Sequence, residues 1–335
     1  MTKTLDKHIS KRLIINILAA LALVSVLTCT LVGSVSFTPN EIFSAVLSKE
    51  QTPAKLIVLN MRLPRVLSCA LVGICLSLSG CILKGIMRND LASPSTVGVT
   101  AGAGFVGYIT LVVFPEYSSL LPIGTVVGSF AVTMLIYILA FKNGVSPVRM
   151  ILSGMAVSAF FGALCDSIKT LFASSVGNAS GFLVGGFNGC SWNSLNSILP
   201  YAILGIAVCI LMPRQLNVLM LGDEVASSLG LPVEPVRFAL IAVSSLLAGA
   251  AVATAGLISF VGLIVPHIAR LLVGSDHKYL LPASALLGCT LVTVCDTVGR
   301  LILPPGEIPV GIILSLIGAP FFLWLIRARS TGGNR

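Results

Sequence analysis

Charged residues are scarce in this sequence, and their scarcity decides the class of protein. Lys, Arg, Asp and Glu make up 10% of the 335 residues, whereas an average soluble domain carries about 25%. Hydrophobic residues make up 56%, and the mean hydropathy is +1.02. The apolar runs recur at lengths near the ~20 residues that cross a bilayer as a helix. Short alternating segments typical of membrane β-barrels are absent. We therefore predict an all-α polytopic membrane protein, with residues 1–335 forming one transmembrane domain.

Motifs for catalysis and for energy coupling are also missing. The sequence has no GxxxxGK[ST] phosphate loop, so it should not bind ATP by that mechanism, and it has no HExxH metal motif. Asp166 precedes Lys169 by three residues and Asp296 precedes Arg300 by four, so each pair can neutralise itself along one helix face. Ion-coupled transporters usually place unpaired carboxylates near the middle of their spans. We predict a chain that is not an enzyme, holds no cofactor and has no energy source of its own.

Neither the cysteines nor the net charge indicates a further function. The nine cysteines lie mostly inside apolar runs and form no CxxC pair, which is typical of small apolar packing residues and not of disulfides or metal ligands. The net charge of +9 could suggest nucleic acid. Basic residues that hold the cytoplasmic ends of spans against anionic lipid explain it better, so we predict a lipid bilayer as partner and no nucleic acid.

The apolar runs predict ten spans with both termini in the cytoplasm. The predicted spans are 13–33, 64–83, 94–114, 120–141, 148–170, 195–212, 237–256, 259–273, 281–302 and 308–326. With the N-terminus inside, fifteen of the 21 Lys and Arg lie on the inner side, as the positive-inside rule requires of a cell-membrane protein. The other six are Lys49, Lys55, Arg62, Arg65, Lys169 and Arg300. Loops 34–61 and 171–194 then face outside. Span 259–273 is short and contains Pro266.

An internal echo suggests inverted repeats. Gly73 and Gly80 lie seven residues apart on the second span, and Gly249 and Gly256 have the same spacing on the seventh. In both pairs the first glycine ends a Leu-X-Gly sequence. The two spans cross in opposite directions. Inverted repeats are common in transporters, with the pathway at the repeat interface.

The loop 213–236 is longer than a simple connection between spans. It contains a two-turn helix pattern, with Asp223 as candidate N-cap, Glu224 in the first turn, and Val225 and Leu229 on one face. Gly230 is the expected stop. The pattern predicts a short helix at the cytoplasmic membrane surface that a soluble partner protein can bind and move.

Three arginines lie on the outer side, against the general charge bias. Arg62 and Arg65 flank Pro64, which fits the first turn of the second span, and Arg300 closes the ninth span. Three outward cations could seat an acidic protein partner. Contact with lipid phosphates or pairing within the chain would also explain them.

Five stretches of the sequence together carry a family resemblance. They are RLPRVLSCALVGICLSLSGCILKGIMRNDLASPSTVGVTAGAG (62–104), LVGGFNGCSW (183–192), LNVLMLGDEVASSLGLP (216–232), GLISFVGLIVPHIARLLVGSDHKYLLPASALLGC (256–289) and LPPGEIPVGIILSLIGAPFFLWLI (303–326). These stretches resemble the FecCD family, the permease subunits of ABC importers for ferric siderophores, haem and vitamin B12. The last two are highly specific together. The resemblance runs from about residue 60 to 327.

The resemblance implies a type II, vitamin B12 permease-like fold of ten helices in each subunit. A homodimer or heterodimer of permeases would enclose the pathway. Two cytoplasmic ATPase subunits would carry ATP and Mg²⁺, and an extracytoplasmic binding protein would deliver an iron chelate, haem or cobalamin.

The resemblance also carries residue roles. Arg62, Arg65 and Arg300 would meet acidic residues of the binding protein. The coupling helix corresponds to Gly222, Asp223, Glu224, Ala226, Leu229 and Gly230, and the inner gate to Ser146, Pro147 and Val148. The chain departs from the family at Pro147, where a small polar residue is usual, and at Asp90, where proline is commoner.

Three alternatives stay open at this point. A permease of another ABC class, such as a metal-ion importer, should lack the RLPR and PHIAR…GSDH runs. An ion-coupled secondary transporter would work without an ATPase. An intramembrane enzyme would need a nucleophile–base or metal constellation, which the sequence does not suggest.

Overall fold

The chain folds into a bundle of helices. The computed structural model describes residues 2–33, 52–142, 146–304 and 306–332. In chain order the helices of these ranges are α1 (Thr2–Leu31), α2 (Pro53–Met87), α3 (Val99–Val112), α4 (Leu121–Ala140), α5 (Pro147–Leu171), α6 (Val176–Val184), α7 (Trp192–Leu211), α8 (Pro213–Leu219), α9 (Asp223–Ser228), α10 (Val233–Ala255), α11 (Val261–Val273), α12 (His277–Ile302) and α13 (Val310–Gly332). The end of the bundle that carries α9 is called the inner end below, and the end that carries Arg65 the outer end.

The all-α membrane architecture is confirmed. Seven helices of the described ranges are long and apolar enough to cross a membrane, and three shorter apolar helices accompany them, at Val99–Val112, Val261–Val273 and Val310–Leu325. Together these ten helices match the ten predicted spans in order. The span predicted at 259–273 is the 13-residue helix α11, with Pro266 inside it.

The second span starts earlier than the sequence suggested. The prediction opened it at Pro64, but α2 begins at Pro53. Residues 57–62 form a π-helical turn, in which the N–H of Leu63 bonds to the carbonyl of Val58. Pro64 has no N–H to donate, and the wider turn before it keeps the helix continuous through this position. Arg62 and Arg65 therefore lie within a helix and not at its start. The first part of the predicted outer loop, 34–51, lies outside the described residues.

Helix α2 forms the centre of the bundle. Of its most apolar segment, 83% is buried, against 17% for α5, and it packs most extensively on α12 and α10. A Cβ at Gly73 would stand 2.1 Å from the carbonyl oxygen of Gly288, and one at Gly80 would stand 2.1 Å from that of Gly262. Only glycine permits such backbone approach, which is how membrane helices pack without a hydrophobic drive between them.

The two glycine pairs of the sequence echo are not placed alike. Gly249 lies at the contact of α10 with α4, where a Cβ would stand 2.7 Å from the Cα of Val126. Gly256 ends α10 with φ +66°, whereas its counterpart Gly80 lies inside α2. The inverted repeat therefore stays a prediction.

Candidate functional site

The outer cluster is centred on Arg65 of α2. Its Nε donates to Asp296 Oδ2 at 3.0 Å and its Nη2 to Asp296 Oδ1 at 2.8 Å. Its Nη1 donates to Glu307 Oε2 at 2.8 Å. Arg300 Nε lies 3.2 Å from Asp296 Oδ2, so the predicted pairing along one face of α12 is confirmed. The cluster joins α2, α12 and the segment before α13. Sequence reasoning missed Glu307, the carboxylate between the ninth and tenth predicted spans.

Arg62 and Arg300 are buried against the end of α1. Arg62 Nη1 donates to the carbonyl of Leu31 at 2.7 Å. Arg300 Nη2 donates to the carbonyl of Cys29 at 3.3 Å and to the hydroxyl of Thr297 at 2.9 Å. The last carbonyls of a helix have no partner within it and carry partial negative charge, so cations stabilise them. The two arginines thus cap α1 and fasten it to α2 and α12.

All three arginines also line one pocket at the outer end. The pocket has a volume of about 440 Å³, and its walls include Arg62, Arg65, Arg300, Glu307 and Cys190. Burial raises the pKa of the Cys190 thiol to about 11, with the cation of Arg65 opposing the rise, so this thiol is neutral near pH 7. The pocket therefore offers cationic groups that are partly neutralised by their own carboxylates.

At the inner end, an exposed apolar stripe runs along the short helix α9 and the residues that flank it. Leu221 before the helix, Val225 within it and Leu229 at its end are 60%, 46% and 62% exposed, whereas Ala226 is fully buried. The predicted helix is present. The prediction of Asp223 as N-cap is wrong, because Gly222 occupies that position with φ 107°. Such a conformation suits glycine and frees the Asp223 carboxylate for other contacts.

An ion-pair network anchors α9 to the bundle. The buried Arg237 of α10 donates to Asp223 Oδ1 at 2.7 Å and to Glu234 Oε1 at 2.6 Å. The hydroxyl of Tyr137 on α4 donates to Glu234 Oε2 at 2.7 Å, and Arg88 Nη2 at the end of α2 lies 3.9 Å from Asp223 Oδ1. Sequence reasoning missed this network, although Glu234 and Arg237 are three apart, a spacing that favours pairing.

Asp90, which stands where the family more commonly has proline, pairs with a residue of another helix. Asp90 forms an ion pair with Arg270 of α11, and Lys84 of α2 donates to the carbonyl of Leu263 at 2.6 Å. Two contacts therefore join the inner end of α2 and the segment after it to α11.

The predicted inner gate lies at the start of α5. Ser146 has an extended backbone and precedes the helix, and Pro147 occupies its first turn, where the missing N–H costs nothing. Val148 is 66% exposed. Residues 143–145 of this turn lie outside the described residues. No group of three or more His, Cys, Asp or Glu that could hold a metal ion is found in the part of the chain that the structure describes.

Comparison with known proteins places the chain in a family. Residues 21–328 match the FecCD transport family. The chain belongs to this family. It is 38% identical over 329 residues to the Fe(3+)-citrate import system permease protein YfmE of Bacillus subtilis (strain 168), with 98% of each chain covered. It is 42% identical over 281 residues to the cobalamin import system permease protein BtuC of Halobacterium salinarum, covering 82% of this chain and 74% of the relative. A solved structure of an inward-facing metal-chelate type ABC transporter covers 94% of this chain and 99% of its own, with 31% identity and a TM-score of 0.84.

The family and the structural match settle the class of the protein. FecCD proteins are transport permease subunits of ABC importers and not enzymes. The chain is a multi-pass membrane protein of this kind. ABC importer permeases work with ATPase and binding-protein partners.

Proposed function

We propose that this permease carries an iron chelate (a ferric siderophore or haem) or cobalamin across the cytoplasmic membrane, with both of its termini in the cytoplasm. Its relatives are named for Fe(3+)-citrate and cobalamin import. ATP and Mg²⁺ would be bound by two partner ATPase subunits, and an extracytoplasmic binding protein would deliver the cargo.

The exposed stripe of α9 is the observation that carries the proposed ATPase contact. Large apolar side chains on a short helix outside the apolar spans cost free energy in water, and an exposed apolar patch marks a protein contact. The coupling residues would be Gly222, Asp223, Glu224, Ala226, Leu229 and Gly230. Leu229 would enter the ATPase, Ala226 would pack α9 on the bundle, and Gly222 and Gly230 would shape its two ends.

A second permease would cover the exposed faces of α5 and α13. On α5, Leu152, Met155 and Phe160 are 59%, 59% and 62% exposed. The pathway would run between the two permeases, identical or different, and Ser146, Pro147 and Val148 at the inner start of α5 would form its gate.

The binding protein would dock at the outer pocket. Arg62, Arg65 and Arg300 line it, and a carboxylate of the partner would reach them through its mouth. Arg65 and Arg300 already pair with Asp296, so docking competes with existing ion pairs. An ion pair at the exposed mouth of the pocket adds only about 0.2–1 kcal/mol.

The coupling role is tested by Leu229→Asp in the full complex reconstituted in proteoliposomes. A charge in the apolar contact should abolish ATP-driven uptake while the protein remains in the membrane. Ser227→Asp places the same charge on an exposed position of the same helix and should transport normally. Normal uptake by Leu229→Asp at wild-type expression would refute the coupling role.

The cargo is tested with the same proteoliposomes. Uptake of ⁵⁵Fe-labelled chelates, haem and labelled cobalamin should require both ATP and the loaded binding protein, and one cargo should dominate. Accumulation of solute against a gradient by the purified permease alone would refute the whole assignment.

A further inference from the structure

A second pocket lies at the inner end, where α7 ends and α12 begins. Its volume is about 530 Å³, and its walls include Ile210, Leu211, Arg214 and Lys278. Ile210 and Leu211 are 71% and 74% exposed and form the last turn of a helix apolar enough to cross a membrane. One wall of the pocket therefore faces the acyl chains of the surrounding lipid, and the other lies at the level of the headgroups.

Two cations stand at the headgroup level of this pocket. Arg214 lies in the first turn of α8 and Lys278 in the first turn of α12, and both are exposed. Neither side chain forms an ion pair or hydrogen bond with another residue that the structure describes. Two cations that the protein leaves unpaired near each other repel, and an anion between them relieves the repulsion.

The carboxylate of the pocket is already occupied. Asp276 Oδ1 accepts a hydrogen bond from Asn217 Nδ2 at 2.8 Å and one from the backbone N–H of Lys278 at 3.0 Å, so it caps α12. Burial opposes its ionisation, but these hydrogen bonds and the nearby Lys11 outweigh burial and lower the pKa of Asp276. The walls of the pocket therefore carry one negative charge and two cations, and a third cation, Lys11 of α1, lies near the carboxylate.

We propose that this pocket binds the headgroup of an anionic phospholipid, with its phosphate between Arg214 and Lys278 and its acyl chains along Ile210 and Leu211. Basic pockets between transmembrane helices on the cytoplasmic side are suited to anionic headgroups. A free phosphate would use the cations but leave the apolar wall uncovered. An acidic segment of a soluble partner would also leave the membrane-facing wall uncovered. The proposal depends on the membrane location of the chain and not on its cargo.

The test is native mass spectrometry of the full-length permease with equal amounts of phosphatidylglycerol and phosphatidylcholine. The wild type should retain phosphatidylglycerol preferentially. Each cation near a membrane surface contributes about fivefold in affinity, so Arg214→Gln with Lys278→Gln should weaken retention about 25-fold. Arg12→Gln with Lys142→Gln removes the same charge from exposed positions that do not line the pocket and should leave the preference unchanged.

Two further arms separate the sources of the anion and guard against misfolding. Arg214→Lys with Lys278→Arg keeps both charges and should keep the preference. Leu211→Ser should weaken retention of the lipid without changing the affinity for inorganic phosphate.

The proposal has defined failures. Equal retention of both lipids, or equal loss in the control pair, would overturn it. Complete displacement of the lipid by millimolar inorganic phosphate would show a site for a soluble anion and would overturn the lipid assignment. Loss of the bound lipid when the ATPase assembles would show that the surface belongs to a protein partner, and would overturn it as well.

Discussion

Replacing Arg65 with Gln should destabilise the outer end of the permease. Arg65 makes its main contacts with Asp296, whose side chain is only 2% exposed. Removing one partner of a buried ion pair costs about 3–5 kcal/mol because the other charge remains buried. Arg300 Nε stays 3.2 Å from the same carboxylate, so we expect the lower part of this range. The contact with Glu307, which is 25% exposed, adds at most about 1 kcal/mol.

The assay is unfolding in mixed micelles by titration with SDS, followed by the fluorescence of the two tryptophans. The companion variant combines Arg65→Gln, Asp296→Asn and Glu307→Gln, which removes Arg65 together with both of its carboxylate partners. Replacing both partners of a buried ion pair is far less costly than removing one. Arg300 loses Asp296 but keeps its bonds to Cys29 and Thr297, so the triple variant should recover part of the lost free energy of unfolding. Both variants lack the cation proposed for docking, so both should bind the binding protein more weakly than the wild type.

Each possible result bears on a separate claim. If Arg65→Gln unfolds within about 1 kcal/mol of the wild type, then the cluster does not stabilise the fold as its burial implies. If the triple variant is no more stable than the single one, an uncompensated carboxylate is the wrong explanation. If Arg65→Gln captures the binding protein with wild-type affinity, Arg65 has no part in docking.

Three smaller changes test how the helices are held together, all by the same titration. Gly73→Ala would place a Cβ 2.1 Å from the carbonyl oxygen of Gly288 and should cost about 1–3 kcal/mol of unfolding free energy. The control Gly162→Ala meets nothing within 4 Å and should not destabilise the protein. Equal effects of the two changes would contradict the close packing of α2 on α12. Arg237→Met removes two hydrogen bonds to carboxylates and should cost about 1.5–3 kcal/mol of unfolding free energy. It should also lower the ATPase rate of the complex. An unchanged ATPase rate would show that Arg237 does not hold α9 in its coupling position. Ser79→Ala removes the hydroxyl that bonds to both the carbonyl and the hydroxyl of Ser244 on α10 and should cost only about 0.6 kcal/mol for each bond. A loss above ~2 kcal/mol would show a different role.

The spans could be predicted because an apolar run of sufficient length leaves few alternatives in a membrane. The early start of α2 could not be predicted in this way. Residues 52–61 contain Lys55 and Asn60 and form no long apolar run. Tertiary contacts support this turn, because Trp192 Nε1 at the start of α7 donates to the carbonyl of Leu59 at 3.0 Å. A contact between residues so far apart in sequence has no local signal.

Helix α6 was missed for a related reason. It has nine residues, and two of them, Gly177 and Gly181, disfavour a helix. The helix persists because Ala179 and Leu183 pack against an apolar cluster around Tyr108 of α3. Packing overrides propensity here, and the sequence of the loop alone indicates neither partner.

For the outer arginines, spacing in the sequence predicts pairs within one helix but not pairs between helices. The pairing of Asp296 with Arg300 was predictable because four residues separate them on one helix, but the stronger partner of Asp296 is Arg65, which lies 231 residues away in sequence. Three cations that look equivalent in the sequence therefore divide into two kinds. Arg62 and Arg300 bind the end of α1, whereas the side chain of Arg65 keeps 15% exposure to the pocket. Because a docking carboxylate has to reach an accessible group, Arg65 should carry more of the affinity for the binding protein than Arg62 or Arg300.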